Sequence, residues 1–335
     1  MRYSLNQKNV LLLCGGGSSE HEISLRSVKF YEECLAQVSN VTTIKIEIDK
    51  QGDWVDQSGK KYLLDGKKYL RAFEQDGDPG IKIDVAIPCI HGYPGETGDL
   101  QSYFEMIKLP YFGCNSETSK MCFNKITTKM WATALGVANT PYIFVSENSE
   151  ASFQEILQFQ RQHGDIVIKA SNQGSSVGCY MVLKDQSPAV EVQNAFKFSP
   201  FVLIEKRMKP RELEVSVYEY DGQLQVSYPG EIVAPGSFYT YDEKYSDQSQ
   251  SKTFVKAESL TPEQVQTITD YATKLYHGLK IRHLSRIDFF LDGGTVYLNE
   301  INTFPGSTSI SMFPKMLEAN GHSFKLYLEQ HIKNL

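Results

Sequence analysis

Two short stretches, SRIDFF and NEIN, hold residue types that can bind a divalent cation. Arg286 and Asp288 lie two apart, as do Glu300 and Asn302. Side chains in a strand alternate faces with period two, so each pair shares a face. A three-residue turn, Asp292-Gly293-Gly294, would set Glu300 opposite Arg286 and bring all four together, whereas a turn of even length would separate them. Two carboxylates and an amide oxygen beside a guanidinium suit Mg2+, leaving Arg286 to face phosphate or developing negative charge. The same residues could instead form a solvated hairpin face with one ion pair, worth about 0–1 kcal/mol. The loop beyond, Asn302–Met312, is dense in small and hydroxyl residues. It could hold an anion on its backbone amides or form a Pro-Gly turn into a helix cap.

A second constellation surrounds Gln173-Gly-Ser-Ser-Val-Gly178, which sits between two strand-like runs. Its glycines would let backbone amides approach phosphate oxygens, making a lid, although a bare hairpin tip has the same composition. The segment lacks the order of a P-loop. Lys169 and Lys125 could meet phosphate, and Glu205 and Glu212 could accept from an adenine amine or ribose hydroxyls. Upstream, Gly15-Gly16-Gly17-Ser18-Ser19-Glu20 is not a dinucleotide fingerprint, because glutamate stands where the third glycine belongs. Ser19 and Glu22 have capping-box spacing, and Glu22 could alternatively anchor a substrate ammonium. His91 follows a strand in HGYPGETG, where it could border a site or form a turn, and no Ser-His-Asp order accompanies it. The long loop 234–255 contains FYTYDEKY, whose phenols and Lys244 could close over a reacting centre.

The elements that must position these residues alternate. Strand Asn9–Cys14 leads through the glycines to a helix; VTTIKIEI and KIDVAIPCI follow as strands, separated by an irregular stretch; GETGDLQSYFEMI then reads as a helix. SETSKMCFNKITTKMWATALG is one long helix or two. The strands PYIFV, GDIVIKA, CYMVLK and FVLIEKRM make a small sheet with the helix SFQEILQFQRQ. LEVSVYEY, QLQVSYP, a helix at TPEQVQTITDYATKLYHGL and the acidic hairpin complete the pattern. The reading is α/β, α+β in parts, with units 1–114, 115–205 and 206–335.

A chain of 335 residues with 41% hydrophobic and 22% charged residues can bury several cores. Its net charge of −6 argues against nucleic acid or an anionic membrane as main partner. Six scattered cysteines form no zinc or disulfide pattern, and no apolar run is long enough to span a bilayer, which together suit a reducing cytoplasm.

In order, GGGSSEHEISL, HGYPGETG, FNK, KASNQGSSVG, LIEK with RELEVSV, FYTYDEKY, SRIDFF and NEINTFPGSTS resemble the D-alanine:D-alanine ligases of the ATP-grasp superfamily, from about Leu11 to Pro314. The resemblance implies a three-domain ATP-grasp architecture with an N-terminal parallel α/β domain. It implies ATP as cosubstrate and magnesium as cofactor, two ions with Mn2+ able to substitute. It also implies a homodimer in the cytoplasm serving peptidoglycan precursor synthesis. By position, Lys125, Lys169, Glu205, Lys206, Glu212 and Phe290 match nucleotide contacts, with Ser175 and Ser176 in the lid. Asp288, Glu300 and Asn302 match the metal ligands. Glu22 matches the anchor of the first D-alanine ammonium, linked to Ser175 and Tyr245. Arg286 and the Gly306 amide match the oxyanion site, Lys244 a phosphate contact, His91 a further active-site position, and Ser311 and Met312 the second amino-acid site. The sequence departs from the usual pattern at Thr97, Ala170 and Met312. A D-alanine:D-lactate or D-alanine:D-serine ligase is the alternative within this chemistry, and a nucleotide-binding regulator the alternative outside it.

Overall fold

The computed structural model describes residues 7–75, 77–233 and 251–335. Three sheets follow one another along the chain, with nine helices among the described residues.

The first sheet holds β1 (Lys8–Gly15), β2 (Val41–Ile48), β3 (Trp54–Val55), β4 (Lys61–Leu64), β5 (Tyr69–Ala72), β6 (Ile81–Lys82) and β7 (Val85–Pro88), in the order β6-β5-β4-β3-β2-β1-β7. Only β2, β1 and β7 run parallel. β1 is central among them, which accounts for the unbroken apolar run Val10–Leu13, fully buried. The stretch read as irregular is an antiparallel meander extending the parallel strands. Aspartates build its turns: Asp49, Asp56 and Asp65 each accept from the amide two residues on. Helices α1 (His21–Leu35) and α2 (Asp99–Met106) accompany this sheet.

The long helical stretch is two helices, α3 (Ser116–Phe123) and α4 (Lys125–Ala134). They part at Asn124, whose side chain accepts from the amides of Ile126 and Thr127 and caps α4. The second sheet is antiparallel, β10-β9-β11-β8, built from β8 (Tyr142–Val145), β9 (Ile166–Ala170), β10 (Cys179–Val182) and β11 (Val202–Lys206), with α5 (Glu150–His163) and α6 (Ala189–Phe196).

The third sheet contains β12 (Arg211–Tyr220), β13 (Gln223–Val226), β14 (Gly230–Val233), β15 (Lys252–Phe254), β16 (Leu284–Asp292) and β17 (Thr295–Asn302). Its order is β15-β14-β12-β16-β17, and β13 also pairs with β12. Helix α7 (Pro262–Gly278) carries a complete capping box at Thr261 and Gln264. Helix α8 (Met312–Ala319) follows the loop that could form a Pro-Gly turn into a helix cap, and α9 (Phe324–Asn334), absent from the sequence reading, comes after it.

The cores do not follow the order of the sheets. Val10, Val28, Tyr31, Ile87 and Phe112 share one core with Tyr218, Phe304, Phe313, Phe324 and Tyr327. Cys122 of α3 and Ala132 of α4 are buried with the apolar face of the third sheet. The second sheet has a core of its own, including Ile156, Ile168, Val202 and Ile204.

Candidate active site

The floor of the site is the polar face of the third sheet. Directly opposed residues of paired strands share a face, and the register sets them in rows across the strands. Gly230, Glu214, Asp288 and Glu300 form one row. Ile232, Glu212, Phe290 and Tyr297 form the next, and Ser216, Arg286 and Asn302 flank the first on its other side.

The hairpin reaches this arrangement by a route the sequence reading did not foresee. Its turn has two residues, Gly293 and Gly294, both with positive φ (55° and 85°), between the paired Asp292 and Thr295. Continued unbroken, that register would set Asp288 opposite Asn299 and turn Glu300 to the far face. A bulge opposite the Asp288–Phe289 step shifts β17 by one residue, so Glu300 lies opposite Asp288, not opposite Arg286.

Arg286 grips the Asp288 carboxylate with two bonds, Nε to Oδ1 and Nη2 to Oδ2, each 2.7 Å, and its Nε lies 3.3 Å from Glu214 Oε1. Burial disfavours the guanidinium charge, but Asp288 and Glu214 outweigh it and keep Arg286 protonated. Asn302 Nδ2 donates to Asp288 Oδ2 at 3.1 Å, and Lys125 Nζ lies 3.7 Å from Glu300 Oε2. Hard oxygen donors on Asp288, Glu300 and Glu214 thus crowd one row. This donor set fits Mg2+, with Asn302 contributing its amide oxygen once that side chain is turned.

The cover comes from the second sheet. Glu205 Oε1 accepts from Lys129 Nζ and Thr140 Oγ1, both at 2.5 Å, and its Oε2 accepts from Lys169 Nζ at 2.6 Å. Burial pushes the Glu205 carboxyl up, yet the two ammonium groups pull it below the usual range. Lys125 Nζ donates to Gln173 O at 2.6 Å, joining α4 to the glycine-serine loop. Ser175 and Ser176 at the loop tip both have left-handed backbone, φ 48° and 62°, a conformation costing about 1–2 kcal/mol per non-glycine residue. Lys125, Lys169, Ser175, Ser176, Glu205, Lys206, Glu212 and Phe290 line one pocket between the second and third sheets.

The third wall is the glycine turn after β1. His21 Nδ1 donates to Gly16 O at 2.8 Å, holding the turn closed, and α1 starts at His21. Glu20 therefore precedes the first helical residue and faces the cleft, where Ser175 Oγ donates to its Oε1 at 2.5 Å. Glu22 does not reach the cleft. About 100° of helix rotation per residue carries it to the outer surface, where its side chain is 68% exposed and 3.9 Å from Lys50. The expected Ser19–Glu22 capping box is also absent, since no side chain caps α1. The residue facing the cleft in this segment is Glu20.

His91 is buried, donating from Nδ1 to Phe304 O at 3.1 Å and accepting at Nε2 from Ser27 Oγ at 2.8 Å. Burial lowers its pKa despite nearby Glu20 and favours the neutral ring. Glu96 accepts from the amides of Gly92 and Phe304, and burial, with Glu20 adding to it, pushes its carboxyl up to about 8. His91, Gly306, Ser311 and Met312 join Arg286, Asp288, Glu300 and Asn302 around the main cleft. Lys244 and Tyr245 lie outside the described residues.

Sequence reasoning missed Glu20, Ser27, Glu96, Lys129 and Glu214. Strand alternation could have found Glu214, two residues after Glu212. Locating the helix start after the glycines would have found Glu20.

Comparison with known proteins now decides the family. The family model for the D-ala D-ala ligase N-terminus matches residues 9–114, and that for the D-ala D-ala ligase C-terminus matches residues 131–333. The chain belongs to the D-alanine–D-alanine ligase family. This family member is 50% identical to a D-alanine–D-alanine ligase of Shewanella halifaxensis, over 98% of each chain. The crystal structure of D-alanyl-alanine synthetase A from Vibrio cholerae superposes with a TM-score of 0.92 at 48% identity, covering 99% of each chain. VanG D-Ala:D-Ser ligase from Enterococcus faecalis superposes at 0.86 and 27% identity, covering 98% of this ligase-family chain and 99% of VanG. The fold is that of the ATP-grasp ligases.

Proposed function

We propose that this chain uses ATP to join two D-alanine molecules into D-alanyl-D-alanine, a precursor of peptidoglycan. The observation that carries the reading is the Ser175–Glu20 hydrogen bond, which closes the glycine-serine loop over the acidic row of the third sheet. An amino acid whose ammonium sits on Glu20 would lie between a phosphate loop and a cation-binding floor.

On this reading Lys125, Lys169 and the loop at Ser175 and Ser176 hold the triphosphate. Glu205, Lys206, Glu212 and Phe290 surround the rest of the nucleotide. Mg2+, held by Asp288, Glu300 and Asn302, would neutralise charge on the phosphates. The first D-alanine carboxylate attacks the γ-phosphorus and ADP leaves, giving D-alanyl phosphate. The amine of the second D-alanine then attacks the acyl carbon. Arg286 and the Gly306 amide stabilise the oxyanion, and phosphate and a proton depart. Neutral His91, fixed by Ser27 and Phe304, orients the first substrate beside Glu20. Ser311 and Met312 border the second. Water must be excluded because an acyl phosphate hydrolyses, which gives the cover its purpose. The family relation supports a cytoplasmic homodimer. Among the described residues no helix is long and apolar enough to cross a membrane. The units read from sequence, 1–114, 115–205 and 206–335, serve as substrate wall, cover and floor.

The test is mass spectrometry of products from ATP, Mg2+ and D-alanine, with D-serine and D-lactate as competing acceptors. D-alanyl-D-alanine with equimolar phosphate is expected. A mixed product in preference to the dipeptide would replace D-alanine as acceptor, and ATP binding without D-alanine-dependent phosphate release would turn the reading toward a regulator.

A further inference from the structure

We propose that Gly230 sets the depth of the pocket for the second amino acid: lacking a side chain, it houses the Met312 methyl and keeps that side chain clear of the acceptor. This rests on the reading of Ser311 and Met312 as the acceptor end of the cleft.

Gly230 opens β14 directly opposite Glu214, so it belongs to the acidic row, on the sheet face that bears the cleft. Ile232, two residues on, shares that face and lines the cleft together with Met312. The backbone of Gly230 is not in the left-handed region, so conformation does not require glycine there. Space does. A Cβ would overlap Met312 Cε and would lie 3.0 Å from Met316 Sδ and 2.9 Å from Phe254 O.

Helix α8 has little freedom to back away from an added methyl. Ser216 Oγ donates to Phe313 O at 3.1 Å, and Ser227 Oγ, which accepts from the Ser216 amide at 2.9 Å, lies 3.7 Å from Met316 Sδ. The unbranched Met312 side chain, with three rotatable bonds, is the part that yields. Pushed off the sheet, its methyl has the cleft to enter. Gly230 is thus a positioning residue for acceptor size, acting through Met312 and touching no reacting atom.

The experiment compares Gly230→Ala, Met312→Ala and the double variant by phosphate release over a range of D-alanine, fitting the two amino-acid sites separately. Gly230→Ala should raise KM for the second D-alanine about tenfold, with kcat and the KM values for ATP and the first D-alanine within about twofold. The double variant should match Met312→Ala alone. An unchanged acceptor KM in Gly230→Ala overturns the proposal. A double variant still impaired relative to Met312→Ala also overturns it, because displacement of β15 at Phe254 would then be the cause. If Gly230→Ala does not fold, the wild-type protein labelled at methionine methyls gives the answer. A nuclear Overhauser contact between the Met312 methyl and the Gly230 α protons is required, and its absence overturns the proposal. Failure of the wild type to make dipeptide would instead sink the assigned reaction and leave this contact readable.

Discussion

The second sheet and the other two are held together by different physics. Residues of β1 and α1 share one sealed apolar core with α8, α9 and Phe304, so the first sheet and the third form a single frame. The second sheet keeps its core to itself and reaches the site through polar bonds: Lys129–Glu205, Lys125–Gln173 and Ser175–Glu20. Moving a shared core exposes apolar surface at about 25 cal/mol per Å2, whereas part-buried polar contacts such as Lys125–Gln173 and Ser175–Glu20 exchange with water at little net change. The contrast assigns fixed geometry to the acidic floor and movement to the cover.

The sharpest way to break this contrast is at the bridge between α4 and the second sheet. Glu205→Gln leaves the buried Lys129 ammonium and the half-buried Lys169 ammonium without their carboxylate, and a loss of about 3–5 kcal/mol in chemical unfolding is expected. Retained stability would mean that the bridge does not hold the cover. On the floor, Asp288→Asn leaves Glu214 beside Arg286 and relieves the crowding of carboxylates, so it should cost less stability than Glu205→Gln and lower kcat by about 10²–10³-fold, the size of a lost electrostatic contact to the transition state. A large loss of stability with kcat intact would reverse the roles assigned to floor and cover. Where the two meet, Glu20→Gln should lower kcat/KM for D-alanine by about 10–100-fold, and Glu22→Gln should change it less than about twofold. Equal effects at both positions would contradict the placement of Glu22 outside the cleft.

The smallest effect concerns pH and the frame alone. The Gly113 amide donates to His283 Nδ1 at 2.9 Å, and burial, followed by His331 and Arg282, pushes His283 from 6.5 down to about 3. The unfolded chain therefore takes up a proton first as pH falls. Stability from this group is full above about 6.5 and is lost progressively towards 3. His283→Asn, which retains an acceptor for Gly113, should shallow the fall in melting temperature between pH 7 and 5 by about 2 °C. An identical slope in both proteins would remove His283 from the account.

Long regular elements and short motifs were legible because each is written locally. β1 shows its burial in an unbroken apolar run, and the shared face of Asp288 and Arg286 follows from alternation alone. The route from β16 to β17 was not legible, because a bulge at Asn299 is set by pairing and leaves no residue signature. The meander from β3 to β6 escaped because two-residue strands are too short to show alternation, although the spaced aspartates of its turns carried a readable signal. Glu20 and Glu22 flank one histidine, and only the exact helix start tells which of them faces the cleft. The pairing of α8 and α9 with β1 depends on contacts about 300 residues apart, which no local pattern records.

The shared core also bears on synthesis of the chain. Once Lys206 has been made, the second sheet has every strand and helix it needs and can close. Residues of β1 and α1, translated far earlier, lack Phe304, Phe313, Phe324 and Tyr327 until about 300 further residues have been made. The strand made first in these three sheets is thus among the last to become watertight.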